Sequence, residues 1–197
     1  MRIKTVAPLS LIALTLAASV SNAQQTTDRP LSYDYAYGSL AITELDSGGL
    51  EGGGSFTIAP NIHVFASYQD WELSNNADRS ILQVGAGYHW DIANNLDLIV
   101  ALAYADSELD PPGPGKVDDS GAILSAALRG WLTNSVELSG AILLDDSLGS
   151  DVNSVLEIGG DYYLSNQFSV GGRVRVDEDE TTLFVGGRYH FGNRNQR

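Results

Sequence analysis

Four segments of this chain share one arrangement: a turn residue, a second residue, then apolar–polar–apolar. They are Pro60-Asn61-Ile62-His63-Val64, Asn94-Asn95-Leu96-Asp97-Leu98, Asn134-Ser135-Val136-Glu137-Leu138 and Asn166-Gln167-Phe168-Ser169-Val170. Their starts are 34, 40 and 32 residues apart. Alternation with a period of two after a turn residue marks the start of a strand. Each spacing holds one strand out, a loop and one strand back. The pattern predicts ten strands, at roughly 32–45, 53–59, 62–73, 79–90, 96–105, 120–131, 135–144, 154–164, 168–176 and 181–191. An even count with tight turns at one end and longer loops at the other predicts a closed, antiparallel, up-and-down transmembrane β-barrel.

The alternation can be followed along single strands. Leu82, Val84, Ala86, Tyr88 and Trp90 share one face, and Gln83, Gly85, Gly87 and His89 the other. Leu96, Leu98, Val100, Leu102 and Tyr104 form an apolar face, as do Leu183, Val185, Gly187, Tyr189 and Phe191. In water such faces would turn inward, as in a lipocalin-type barrel or a sandwich. Three features favour lipid outside. An aromatic girdle of Trp90, Phe168, Tyr189 and Phe191 ends the apolar faces near the turns, as interfacial residues do. The polar faces are dense in glycine (Gly85, Gly87, Gly159, Gly171 and Gly186), which suits a crowded lumen. The polar residues also match in sign across hairpins.

That matching predicts lumen charge pairs. Folding about position 93 sets His89 against Asp97, and folding about 133 sets Arg129 against Glu137. Folding about 166 sets Glu157 against Arg175, with Asp161 diagonal to Arg173. Directly opposed side chains lie close enough to pair, and inside a narrow barrel an unpaired charge is costly. The first strand is less regular. Tyr33, Tyr35 and Tyr37 share one face and Leu40 and Ile42 the other, which a bulge near Gly38-Ser39 would reconcile.

The segment from Met1 to Ala23 carries Arg2, Lys4, an apolar run from about Val6 to Val20 and the small-residue end Ser21-Asn22-Ala23. It is read as a secretory signal peptide cleaved before Gln24, leaving 24–197 as the barrel domain. As a membrane anchor the run falls short of the roughly 20 residues a span requires.

The chain of 197 residues carries a net charge of −14, which becomes −16 once the leader's two basic residues are gone. That balance argues against nucleic acid as a partner, because phosphate contacts need basic patches. It suits cations, divalent bridging to lipopolysaccharide phosphates, or simple solubility. Cysteine is absent, which removes thiol catalysis and thiolate metal sites.

The last strand ends Gly186-Gly187-Arg188-Tyr189-His190-Phe191. Its Gly186, Tyr189 and Phe191 resemble the C-terminal signal read by the barrel-assembly machinery. It departs from that signal in having Phe184 at a polar position and six residues, Gly192 to Arg197, after the final aromatic. The mature chain also resembles the small outer-membrane barrels regulated by diffusible signal factor in xanthomonad-type bacteria. The resemblance rests on Leu31-Ser32-Tyr33-Asp34-Tyr35, on Ile58 to Phe65, on Val84-Gly85-Ala86-Gly87-Tyr88 and on the ending from Phe184 to Phe191. It implies an outer-membrane barrel, also shed in vesicles, linked to quorum sensing, motility and biofilm. It implies no catalytic residues.

Three constellations carry candidate chemistry. His63, His89 and His190, with Asp97, gather towards the tight-turn end as a metal or acid–base cluster, or as a buried polar cluster satisfying its own hydrogen bonds. Acidic residues crowd the loops: Asp106, Glu108, Asp110, Asp118, Asp119, Asp145, Asp146, Asp151 and Asp177 to Glu180. Their spacing matches no EF-hand, and the longest loop, 106–119, has Pro111-Pro112-Gly113-Pro114-Gly115 at its tip. The lumen wall carries Arg129, Arg173, Arg175, Arg188, Trp71 and Phe184, enough to narrow a ten-stranded barrel. No nucleotide fingerprint or catalytic triad is recognisable, so no metal, cofactor or catalytic residue is expected. The expected function is non-enzymatic: envelope integrity and surface interaction in the outer membrane. The alternative is a small porin-like channel gated by inward-facing charge pairs.

Overall fold

Alternation carries through ten strands in the computed structural model, which describes residues 30–43, 47–73, 77–113, 115–147, 152–178 and 180–191. The strands are β1 Tyr35–Thr43, β2 Gly48–Ala59, β3 Ile62–Glu72, β4 Asp78–Ala93, β5 Leu96–Asp110, β6 Val117–Trp131, β7 Val136–Asp145, β8 Asn153–Tyr163, β9 Phe168–Val176 and β10 Thr181–His190. Each pairs antiparallel with its sequence neighbours, and β1 closes the ring on β10 from Tyr35↔His190 to Thr43↔Thr182. The leader, Pro114, Asp151, Asp179 and the tail 192–197 lie outside the described residues.

One face of each strand is exposed and apolar. Leu40, Phe56, Val84, Leu102, Val174 and Val185 all point outward with large exposure. A soluble protein rarely leaves so continuous an apolar surface uncovered, whereas lipid covers it at no cost. Among the described residues no helix is long and apolar enough to cross a membrane, and the strands do the spanning. The opposite face carries Glu51, His63, Gln69, His89, Asp97, Arg129, Glu137 and His190, all buried in the lumen.

Three expectations need correction. β1 has no bulge: its register with both neighbours is continuous. The tyrosines simply point inward, with Ser39, Ala41 and Thr43, while Leu40 and Ile42 face lipid. The register shifts fall instead at Thr57/Ala59 and Asp91/Ala93, beside two tight turns. Next, Gly48 to Gly52 is strand rather than loop, and β5 and β6 extend to Asp110 and from Val117. The long hairpin therefore turns within 111–116, where Gly115 adopts φ 113°, a left-handed backbone that favours glycine. Finally, residues 32–34 are not strand. They begin a segment that enters the lumen.

Candidate functional site

The lumen has a charged wall made by β7–β10, β1 and β2. Arg175 and Glu157 stand directly opposite each other and bond at 3.0 Å. Arg173 reaches the same Glu157 at 3.2 Å and, over β10 and β1, also pairs with Glu51 of β2. Its expected partner, Asp161, is not the one it takes. Asp161 instead forms an ion pair with Arg188 Nη2 at 3.0 Å and accepts from Ser169 Oγ at 3.2 Å. Asp161 opposes Gly171, so Arg173 lies one step nearer to the loops and within reach of other carboxylates. Phe184 lies beneath two guanidinium groups, Arg173 at 4.1 Å and Arg175 at 5.1 Å from its ring centroid. Such stacking offsets part of the cost of burying charge.

Nearer the tight turns, Arg129 grips Glu137 with two bonds, Nε at 2.6 Å and Nη2 at 3.0 Å. Their backbones are not opposed: Arg129 faces Ser139 and Trp131 faces Glu137. The pair forms diagonally, since the 132–135 turn shifts the register by two residues while keeping both side chains inward. Glu137 also accepts from Arg188 Nη1 at 3.1 Å and from the Tyr163 hydroxyl at 2.8 Å. A two-residue shift likewise places His89 opposite Ile99 rather than Asp97. The backbone partner of Asp97 is Asp91 on one side and Arg129 on the other.

Below this network the chain seals its own mouth. Leu31 and Tyr33 pack with Trp131 and Tyr163 in a buried cluster. The Tyr33 ring stacks on His89 at 4.1 Å and on His63 at 4.7 Å. Its hydroxyl donates to Asp97 at 2.7 Å, and burial holds that phenol protonated by raising it above the ordinary tyrosine range. Arg129 Nη1 donates to the Ser32 carbonyl at 3.0 Å. The third histidine, His190, lies across the mouth, 3.1 Å from the Tyr163 hydroxyl. His89, Asp91 and Asp97 bring their ligand atoms within 4.8 Å of one another. One imidazole and two carboxylates are a donor set that zinc or manganese accepts.

The remaining wall, β3–β6, is mostly small residues in its middle, with Gln83 beside Ser67 and with Gln69, Trp71 and Arg79 towards the loops. Ile81, Ala103, Ala105 and Ile123 form a buried cluster against Phe65 and Leu143. Glycines here are sockets for larger neighbours. A Cβ on Gly87 would stand 2.5 Å from the His63 ring, and one on Gly85 would stand 2.5 Å from Phe65. Between the two walls lies a cavity of about 310 Å³, lined from Tyr33 and His63 to Phe184.

Outside, Trp90, Phe168, Tyr189 and Phe191 are exposed at the tight-turn end. Tyr189 is paired with Phe168 across the β9–β10 seam and stands 5.6 Å from Phe191. Gly186 meets β1 so closely that its Cβ would clash with Gly38 and Ser39. At the loop rim, acids face acids. Asp78 opposes both Glu72 and Asp110, and Glu108 opposes Asp118. Lys116 answers Glu108 in a surface ion pair, which raises the lysine above its ordinary value.

Sequence reasoning missed Glu51, Tyr33, Tyr35, Tyr37 and Tyr163 as lumen groups. For Glu51 the signal was present: Glu51, Gly53 and Ser55 alternate with Leu50, Gly52 and Phe56, but the glycine run reads as a loop.

No protein-family model matches the chain, and no curated protein does. Solved structures similar in fold include the KdgM porin, at 9% identity and a TM-score of 0.50 over 80% of this chain and 99% of that one. The translocator domain of the autotransporter NalP from Neisseria meningitidis aligns at 12% identity and a TM-score of 0.44, over 93% and 96%. The N-terminal barrel domain of Pseudomonas aeruginosa OprF aligns at 11% and 0.42, over 82% and 100%. The fold is that of outer-membrane β-barrels, and the exposed apolar exterior fits lipid.

Proposed function

We propose that this chain is a non-enzymatic outer-membrane barrel with a closed resting lumen, serving envelope integrity and surface interaction through its acidic loop rim. One observation carries the reading: the lumen arginines Arg129, Arg173, Arg175 and Arg188 all hold carboxylate partners. Guanidinium groups paired in this way brace the wall and offer a permeating ion no uncompensated charge of their own. The like-charge ladder at the rim, by contrast, is left facing outward, where lipopolysaccharide phosphates bridged by divalent cations are natural partners.

Planar-bilayer recording of the refolded mature protein at two salt concentrations tests the closed lumen. A folded, heat-modifiable protein without conductance steps is the expected result. Reproducible steps would overturn it in favour of a small porin-like channel, the second reading. That reading is favoured by the cavity of about 310 Å³ beside the charge pairs, and it expects Arg129→Ala and Glu157→Ala to raise conductance. Exchange of the 111–116 loop should change adhesion or vesicle release while the barrel still folds. Motility and biofilm, suggested by the resemblance to barrels under diffusible signal factor, are the cellular readouts for the same exchange.

A further inference from the structure

We propose that residues 30–34 are a removable plug: a strap seated in the tight-turn mouth, whose withdrawal joins the lumen cavity to the solvent beyond that mouth. The proposal rests on the closed-lumen reading and names what closes it.

The strap and its seat are distinct pieces. The strap contributes Leu31, Ser32, Tyr33 and Asp34. The seat is built by the barrel wall alone: His63 of β3, His89 of β4, Asp97 of β5, Arg129 and Trp131 of β6, and Tyr163 of β8. Leu31 and Tyr33 are 6% and 3% exposed, values of a core rather than of a segment outside the strands. Segments flanking a folded domain are poorly ordered unless something ties them down. Here the ties are the Tyr33 stack on two imidazoles, its bond to Asp97, the Arg129 bond to the Ser32 carbonyl, and the Leu31 contact with Trp131 and Tyr163.

Asp34 is the fixed end. Its carboxylate accepts the Thr57 amide at 2.6 Å, and its carbonyl accepts the Phe191 amide at 3.1 Å, just where β1 meets β10. A strap lifting from its seat would therefore pivot at Asp34 and leave the barrel seam intact. The seat also outlasts the strap. Arg129 loses one bond but keeps both bonds to Glu137, and Glu137 keeps Arg188 and Tyr163. Because Tyr33 is itself a lining residue of the cavity, its departure removes the cavity floor.

The test compares wild type, Tyr33→Phe, Tyr33→Ala and Leu31→Ala/Tyr33→Ala in planar bilayers, each checked for heat-modifiable folding. Wild type and Tyr33→Phe should be silent or nearly so, and the alanine variants should give discrete steps. A second measurement covers the case in which the alanine variants fail to fold. The chain has no cysteine, so Ser32→Cys in otherwise wild-type protein carries one thiol. Its labelling by a membrane-impermeant maleimide should be slow, at least about tenfold slower than the same thiol in urea-unfolded protein. Folded alanine variants that stay silent, or a Ser32→Cys thiol labelled as fast as in the unfolded chain, would overturn the strap and leave the closed lumen standing. Conductance in wild type would overturn the closed-lumen reading itself.

Discussion

The two walls of the lumen are held by different physics. On β7–β10, β1 and β2 the inward residues are arginines and carboxylates, linked so that Glu137, Glu157 and Arg173 each serve more than one partner. On β3–β6, above the mouth, they are mostly alanines, glycines, serines and a few branched residues packed around Phe65, with Gln69, Trp71, Arg79 and Gln83 as the larger exceptions. The charged wall needs reach, since long side chains must cross from strand to strand. The small wall supplies the room. Charge on both walls would overfill a ten-stranded barrel, and small residues on both would leave it hollow. The comparison teaches that stability on one side depends on charge and on the other side on volume.

The sharpest way to break the contrast is to remove the shared carboxylate. Glu137→Gln should destabilise the folded barrel by about 3–5 kcal/mol, because buried Arg129 loses its counter-charge and Arg188 keeps only Asp161. Urea unfolding in lipid, followed by tryptophan fluorescence, measures it. A loss under 1 kcal/mol would mean that water already screens the network. On the small wall a change of charge is not required. Ala105, fully buried beside Ile81 and Ile123, should cost about 1–3 kcal/mol as Ala105→Leu through overpacking alone. Salt should not alter that loss, and salt sensitivity would erase the distinction between the walls.

A finer test uses a socket. Gly87→Ala drives a methyl into the His63 ring, with no backbone atom among its three nearest contacts. His63→Ala should therefore rescue it, with a coupling of about 0.5–3 kcal/mol in a double-mutant cycle. Additive losses would mean that the glycine is needed for its backbone instead. The smallest effect belongs to the rim, where Asp110→Asn relieves the repulsion with Asp78. A gain of about 0.2–1 kcal/mol is expected, and it should vanish in high salt.

Much of the charged wall is legible in the sequence. Period two assigns faces, and faces survive a register error of two residues, so Arg129 and Glu137 were placed inward correctly although their backbone partners were not. What alternation cannot fix is where a turn is centred. The hairpin closes on Ala93↔Leu96 rather than about position 93, and the shift at Asp91/Ala93 takes back only one residue, so His89 meets Ile99 instead of Asp97. Arg173 was misassigned because its length lets it choose among several acids, and only the packed lumen decides. The strap was invisible for a different cause. Leu31, Tyr33 and Tyr35 continue the alternation, so the segment reads as strand, and nothing local says that the chain has turned inside. Asp91 joins His89 and Asp97 because the same register sets it opposite Asp97.

β1 and β10 zip together from Tyr35↔His190 upward, so the barrel receives the chain and releases it at adjacent points on one rim. The 111–116 turn, between β5 and β6, lies on the opposite side of the ring from that seam. Cutting the chain within 111–116 and linking Tyr35 to its partner His190 would give the same ring written in a different order. A foreign peptide set into that loop would be displayed on the opposite rim from Tyr35 and His190. The molecule is therefore, by its topology alone, a two-sided scaffold.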